Sequence, residues 1–269
     1  MIDIGVNLLH PQFDADRGAV LARAEAAGVG MLITATDLQT AADAVRFCES
    51  HPGEAVLGCT AGVHPHDASA APGDLADRLA ALAASPHVRA IGETGLDLYR
   101  NYSPPDVQRR VFRTQLEVAS RVGKPLFVHD RDSGGEVYQA LAAVVDRVAG
   151  VVVHCFTGNA TDLARYLSIG CHIGITGWVT EKKRGAELAG MLHALPLERL
   201  LIETDAPFLR PHNVPAAWQA EQAPDASRRR NEPALLPWVA EGVARAMGIA
   251  VADVVQHSTE NARKLFAAR

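Results

Sequence analysis

The sequence has no excess of positive charge: 26 lysines and arginines stand against 31 aspartates and glutamates, a formal net charge of −5 over 269 residues. Bulk electrostatics therefore draw the chain to no polyanion, and any such contact has to come from a local patch or a bound cation. Cysteine is scarce. Cys48, Cys59, Cys155 and Cys171 form no CxxC pair, and Cys155 and Cys171 lie in apolar runs, where a free thiol behaves as a small buried hydrophobe. A reduced, cytoplasmic chain is expected. No apolar run approaches the ~18 residues of a membrane span. Met1 leads directly into a strand-like segment rather than a charged region followed by a long apolar one, so secretion is not expected. There is no fixed-period repeat and no low-complexity linker. No GxGxxG follows the first apolar segment, which gives a dinucleotide fold no support.

What is present is apolar content, 48% of residues, too much for a disordered chain and enough for one large domain over 1–269. Short β-rich runs recur at Ile2–Val6, Met31–Ala35, Val56–Val63, Val88–Glu93, Pro125–His129, Val151–Cys155, His172–Thr176 and Leu200–Glu203. Several are apolar at nearly every position, as parallel strands covered on both faces are. Helix-length stretches separate them: Arg17–Ala27, Thr40–Glu49, Asp74–Ala84, Pro105–Val122, Gly135–Val148, Ala160–Ile169 and Glu187–Leu195. Glu232–Met247 follows the last strand, and Val251–Phe266 reads as one or two short helices. Eight β/α units in about 250 residues predict an α/β fold of (β/α)8 TIM-barrel type; an open doubly wound sheet is the rival. Pro207–Asp225, with four prolines, is the longest loop.

Barrel chemistry sits at the C-terminal ends of strands, and there the ionisable residues collect. The third strand ends in His64-Pro65-His66, the fourth in Glu93-Thr94-Gly95-Leu96-Asp97, the fifth in His129-Asp130, the sixth in His154-Cys155 and the eighth in Glu203-Thr204-Asp205. One buried histidine or glutamate is ordinarily a satisfied structural group. Five strands placing such groups at one mouth would be costly without a cation, so a divalent metal is expected. Glu93, His129, His154 and Asp205 each follow an apolar strand and form a histidine–carboxylate donor set suited to Mg²⁺, Mn²⁺ or Zn²⁺. Glu93 has two oxygens and could bridge two ions, so one or two are expected. Asp205 is placed to bind metal, to take a proton from an attacking water, or both. Glu203 shares its face and is expected to support the ligands from behind. His66, Asp97 and Asp130 are weaker candidates, and Cys155 reads as packing.

In this order, Gly62-Val63-His64-Pro65-His66, Ile91-Gly92-Glu93-Thr94-Gly95-Leu96-Asp97, His154-Cys155-Phe156-Thr157-Gly158 and Leu201-Ile202-Glu203-Thr204-Asp205-Ala206-Pro207 resemble the signatures of the TatD family of metal-dependent deoxyribonucleases. The segment from Ser227 to Pro233 resembles a further block, while Asp3–Leu8 and Gly174–Val179 look like the central branch of that family rather than its wider relatives. The resemblance implies a barrel of the amidohydrolase-like, metal-dependent hydrolase type, with ligands at Glu93, His129, His154 and Asp205. It also implies Mg²⁺-dependent hydrolysis of DNA phosphodiesters, as a 3′→5′ exonuclease preferring single strands, with a role in DNA repair. One departure stands out. Many relatives carry His-x-His after the first strand, where this chain has Gly5 and Asn7. The loss of two imidazoles is expected to weaken the first metal position and favour a Mg²⁺ ion that keeps several waters.

Catalytic roles are expected for Asp205 and Glu93, and a metal or phosphate contact for His64 and Asn7. Arg229 and Arg230, in the Arg228-Arg229-Arg230 run, and His66 are expected to hold substrate phosphates without reading sequence. Lys182-Lys183-Arg184 forms a second basic run, after strand seven. Trp178 is placed either to stack a base or to pack. The expected partner is single-stranded DNA, with no membrane, no obligate protein partner and a monomeric chain. The alternatives are a hydrolase of another bond on the same barrel, such as a small amide, an ester or an aminoacyl-tRNA linkage, and a DNA-binding protein without turnover.

Overall fold

The computed structural model describes residues 1–53, 55–223 and 229–266. Eight parallel strands follow one another around a single sheet in chain order: β1 Ile2–Val6, β2 Gly30–Ile33, β3 Val56–Ala61, β4 Val88–Asp97, β5 Leu126–Arg131, β6 Val151–Val153, β7 His172–Ile175 and β8 Leu200–Ile202. The intervening helices are α1 Arg17–Ala26, α2 Leu38–Ser50, α3 Leu75–Ala83, α4 Pro105–Val122, α5 Glu136–Ala142, α6 Ala160–Ser168 and α7 Ala186–Met191. After β8 come α8 Ala216–Gln222, α9 Leu236–Met247 and α10 Val251–Leu265. The fold is the expected TIM barrel, closed at the mouth where Val6 bridges Ala206 and Asp205 N–H donates to Gly5 O at 2.9 Å.

The described residues form two cores. The larger lies between the outer sheet face and the helices, and includes Val6, Met31, Ile33, Ile91, Val128 and Ile175. The smaller fills the barrel interior with Ile4, Leu32, Ala90, Phe127, Val152 and Leu201, joined by Ala262 and Leu265 of α10 and by Phe266 just after it. Alternation along the strands separates the two sets. Helix α10 therefore plugs the end of the barrel remote from the strands' C-termini. Asn261 docks it, its amide donating to Leu197 O and Leu200 O at 2.7 and 2.9 Å.

Several boundaries differ from the sequence reading. Strand β4 runs four residues past Glu93 to Asp97, paired with a β5 that reaches Arg131. The polar residues at the expected ends of these strands instead build the mouth wall, with a register shift between Ile91 and Thr94. The Gly135–Val148 stretch breaks after Ala142, because Val144 leaves helical geometry at φ −128° before a 3-10 turn at Val145–Arg147. Glu232 is extended, at φ −155°, and Pro233–Leu235 forms a 3-10 turn ahead of α9. The tail is a single 15-residue helix. Among the described residues no single helix is long and apolar enough to cross a membrane, and all four cysteines are free.

Candidate metal centre

A cavity of about 610 Å³ opens over the C-terminal strand ends, and its lining includes His64, Glu93, His129, His154 and Asp205. Glu93 is carried into it at a sharp approach of β4 to β5. Gly92 has φ +148°, and a Cβ there would stand 2.1 Å from Phe127 O, so only glycine fits. The end of β3 is held by α4. Buried Gln115 donates to Val63 O at 2.9 Å and accepts from Val63 N–H at 2.8 Å. Gln108, one α4 ridge away, accepts from Asp97 N–H at 2.9 Å and donates to Ser103 O at 2.8 Å. Two buried amides thus satisfy backbone that the strand ladder leaves unpaired.

Three imidazoles converge on one oxygen. Glu93 Oε1 lies 2.6 Å from His154 Nε2, 3.2 Å from His129 Nδ1 and 3.2 Å from His64 Nε2. Burial raises the Glu93 carboxyl, but His154, His64 and His129 outweigh it and hold it well below the usual range. Reciprocally, burial opposes charge on His154, yet Glu93 and Glu203 keep it protonated well above its ordinary value. Burial likewise opposes charge on His129, and Asp97 and Glu93 raise it. His64 goes the other way: burial dominates and pushes it down to about 4. One buried oxygen ringed by imidazole nitrogens is a donor set that fits a divalent cation, which would displace the protons now shared there.

Behind these rings stand further carboxylates. Glu203, fully buried, faces His154 Nδ1 at 3.4 Å and accepts from Cys155 N–H at 2.5 Å. Asp97 faces His129 Nε2 at 3.6 Å and pairs with His66 Nε2 at 2.7 Å. Burial would raise Asp97, but His129, His66 and the Arg100 N–H hold it below its usual range. Asp205 sits at φ +54° and accepts from Asn7 Nδ2 at 3.0 Å. Its burial, opposed by His154, pushes it up to about 7. Asp130 is tied to the Tyr166 hydroxyl.

The mouth therefore brings together Glu93, His129, His154, His64, His66, Asn7 and Asp205. Arg230 is not among them, and its expected phosphate contact is corrected. It is buried, and its guanidinium forks onto Asp16 at 2.7 and 2.6 Å and donates to Gln12 O at 2.8 Å. The block around it is a fastening. Asn231 donates to Thr204 O and Phe208 O, and Glu232 takes both arms of Arg23 at 2.7 and 2.8 Å. Arg229 is exposed beside a second cavity of about 450 Å³ next to Trp178 and Arg184, while Ser227 and Arg228 lie outside the described residues. Of the other basic run, Arg184 packs over the Trp178 ring at 4.8 Å. Among the described residues, the arginines lining the Glu93 cavity are Arg100 and Arg131, the latter over the Tyr99 ring at 4.7 Å. Sequence reasoning passed over both, although each closely follows a singled-out aspartate (Asp97 or Asp130) at a strand end.

A TIM barrel with an imidazole–carboxylate cluster at its C-terminal mouth defines the class of metal-dependent barrel hydrolases. Residues 2–267 match the TatD related DNase family model, and the chain belongs to that family. It is 44% identical over 268 residues to a 3′-5′ ssDNA/RNA exonuclease TatD of Rahnella sp. (strain Y9602), covering 99% of this chain and 98% of that one. Identity to the enzyme of the same name from Pectobacterium parmentieri (strain WPP163) is 42% over 267 residues, covering 99% of each. Among solved structures, YJJV, a TatD homologue from Escherichia coli K12, superposes with a TM-score of 0.87 at 25% identity, covering 100% of this chain and 98% of that one.

Proposed function

We propose that this chain is a metal-dependent exonuclease that removes nucleotides from the 3′ end of single-stranded DNA, and of RNA, as the names of its relatives state for them. The observation that carries the reading is the convergence of three imidazoles on Glu93 Oε1 inside a mouth lined by arginines. Glu93, His129 and His154 would hold the cation, with Asp205, which lines the same cavity, as a further ligand. Mg²⁺ is the proposed ion, one or two per site, with Mn²⁺ or Zn²⁺ as substitutes. When bound, a divalent cation supplies the Lewis acidity that in-line phosphodiester displacement needs.

The chain's own groups do the rest. Asp205, at the mouth beside Asn7, offers a carboxylate oxygen to accept a proton from the attacking water. Asn7 Nδ2 holds that carboxylate in place. Arg100, Arg131 and His66 line the route along which the phosphate backbone would run, binding it without reading sequence. Phe208, 46% exposed at the rim, and Trp178 offer faces on which unpaired bases stack. A duplex keeps its bases stacked on each other, which is the physical ground for single-strand preference. A cytoplasmic monomer acting in DNA repair is the proposed setting.

The deciding experiment is mononucleotide release from end-labelled single strands with Mg²⁺, using strands blocked at either end. A 3′ block should stop release and a 5′ block should not; release that ignores the 3′ block, or none with any divalent ion, overturns the reading. Glu93→Gln should abolish release while the unfolding midpoint stays near that of the parent.

A further inference from the structure

The three imidazoles around Glu93 differ in what stands behind their other nitrogen. Behind His129 Nε2 stands the Asp97 carboxylate at 3.6 Å, and behind His154 Nδ1 the Glu203 carboxylate at 3.4 Å, within ion-pair range, while neither nitrogen makes a hydrogen bond. A carboxylate only accepts. With a cation in place of the protons shared around Glu93, a proton on each far nitrogen would face a carboxylate, and the nitrogen facing Glu93 would keep its lone pair for the cation. A carboxylate behind a histidine is how ligand rings are oriented and made more basic.

His64 has the opposite arrangement. Its far nitrogen, Nδ1, accepts the backbone N–H of His66 at 3.0 Å, a group that can only donate. That bond caps the Pro65–Ala70 3-10 turn, and His64 N–H is itself held on Thr36 O at 2.8 Å. With Nδ1 bare, the ring proton sits on Nε2, the nitrogen aimed into the cavity beside Glu93. A protonated nitrogen has no lone pair for a metal. Freeing one would require turning the ring and leaving the His66 N–H without its partner.

Resting on the exonuclease reading above, we propose that His64 is a catalytic hydrogen-bond donor and not a metal ligand: its Nε2–H engages a non-bridging oxygen of the scissile phosphodiester, beside a cation held by Glu93, His129 and His154. Negative charge grows on those oxygens as the phosphoryl group is transferred, so a fixed donor at that place favours the transition state over the bound substrate.

Two substitutions at this position separate the roles of the ring. His64→Asn keeps an acceptor for the His66 N–H, since asparagine is a strong cap, and loses the distant donor. His64→Gln places an amide N–H near the Nε2 position. Mn²⁺ binding to the full-length chain, followed by paramagnetic resonance without substrate, gives a readout independent of turnover; unfolding midpoints check the fold. His64→Asn should bind Mn²⁺ within about threefold of the parent while kcat falls by about 10²–10³ and KM changes little. His64→Gln should recover at least tenfold of that loss. His129→Ala should weaken Mn²⁺ binding at least about tenfold. The proposal is overturned if His64→Asn loses Mn²⁺ as His129→Ala does, if it keeps full kcat, or if His64→Gln is no better than His64→Asn. A parent chain that binds Mn²⁺ but cleaves no phosphodiester overturns the exonuclease reading instead, and with it the substrate half of this one.

Discussion

At the residue scale, the site depends on one buried side chain that binds nothing in the cavity. Glu203 lies fully buried beside His154, and two glycines make room for it. A Cβ on Gly5 would stand 2.2 Å from Glu203 Oε2, and one on Gly174 would stand 2.4 Å from Oε1. Gly5 thus has a steric reason to be glycine, beyond being a position without an imidazole. Gly5→Ala should displace Glu203 from His154 and weaken Mn²⁺ binding by about tenfold or more, measurable by titration of the folded variant; unchanged affinity would show that Glu203 does not orient the ring. Arg230 makes the opposite case, a cation that sequence order places at the mouth and tertiary contacts remove from it. Arg230→Met should cost roughly 2 kcal/mol in urea unfolding, below the usual penalty for splitting a buried pair because Asp16 is partly exposed. KM for oligonucleotide should hardly move. A large rise in KM at parental stability would restore the phosphate-binding role.

At the element scale, polar residues on apolar stripes do the positioning. Gln115 falls on the buried face of α4 with Val111 and Val118, where periodicity alone marks it only as core-facing. Its partners, both backbone groups of Val63, come from another element and leave no trace in the local pattern. Gln115→Leu should lower stability by about 2–4 kcal/mol, because two backbone groups next to His64 become buried and unpaired. Denaturant unfolding checks the size, and a loss under 1 kcal/mol would mean water replaces the amide. The eight strands and most helices were legible because an apolar run and a 3.6-residue stripe are local signals. The far ends of β4 and β5 were not, since the pairing of Asp97 with Arg131 is set by the neighbouring strand and not by hydrophobicity.

At the scale of the whole molecule, the barrel has a seam between its first and last strands. Part of it is stitched by a side chain: Asp3 accepts Thr204 N–H at 2.9 Å and the Thr204 hydroxyl at 2.5 Å. Burial outweighs these bonds and pushes Asp3 up to about 8, from an ordinary 3.8. The folded chain therefore keeps a proton that the unfolded chain releases near pH 4. Linkage makes this contribution to stability fall as pH rises from about 4 to about 8 and level off above that. Asp3→Asn, which resembles the protonated acid, should flatten that part of the curve; urea midpoints at pH 5 and pH 8 for both chains would show it. An equal decline in the variant would assign the effect to other groups.

The sequence by itself determined the barrel, the strand ends that carry chemistry and the identity of Glu93, His129, His154 and Asp205 as the groups gathered there, because each is coded within a few residues of an apolar run. Only the tertiary structure decided what those groups do to one another. It put three imidazoles on one oxygen, gave two of them a carboxylate and the third a backbone N–H behind, and tied Arg230 to Asp16 in place of the mouth. Hydrogen-bond direction and burial belong to pairs of residues far apart in the chain, and a net charge of −5 says nothing of where Arg100 and Arg131 stand.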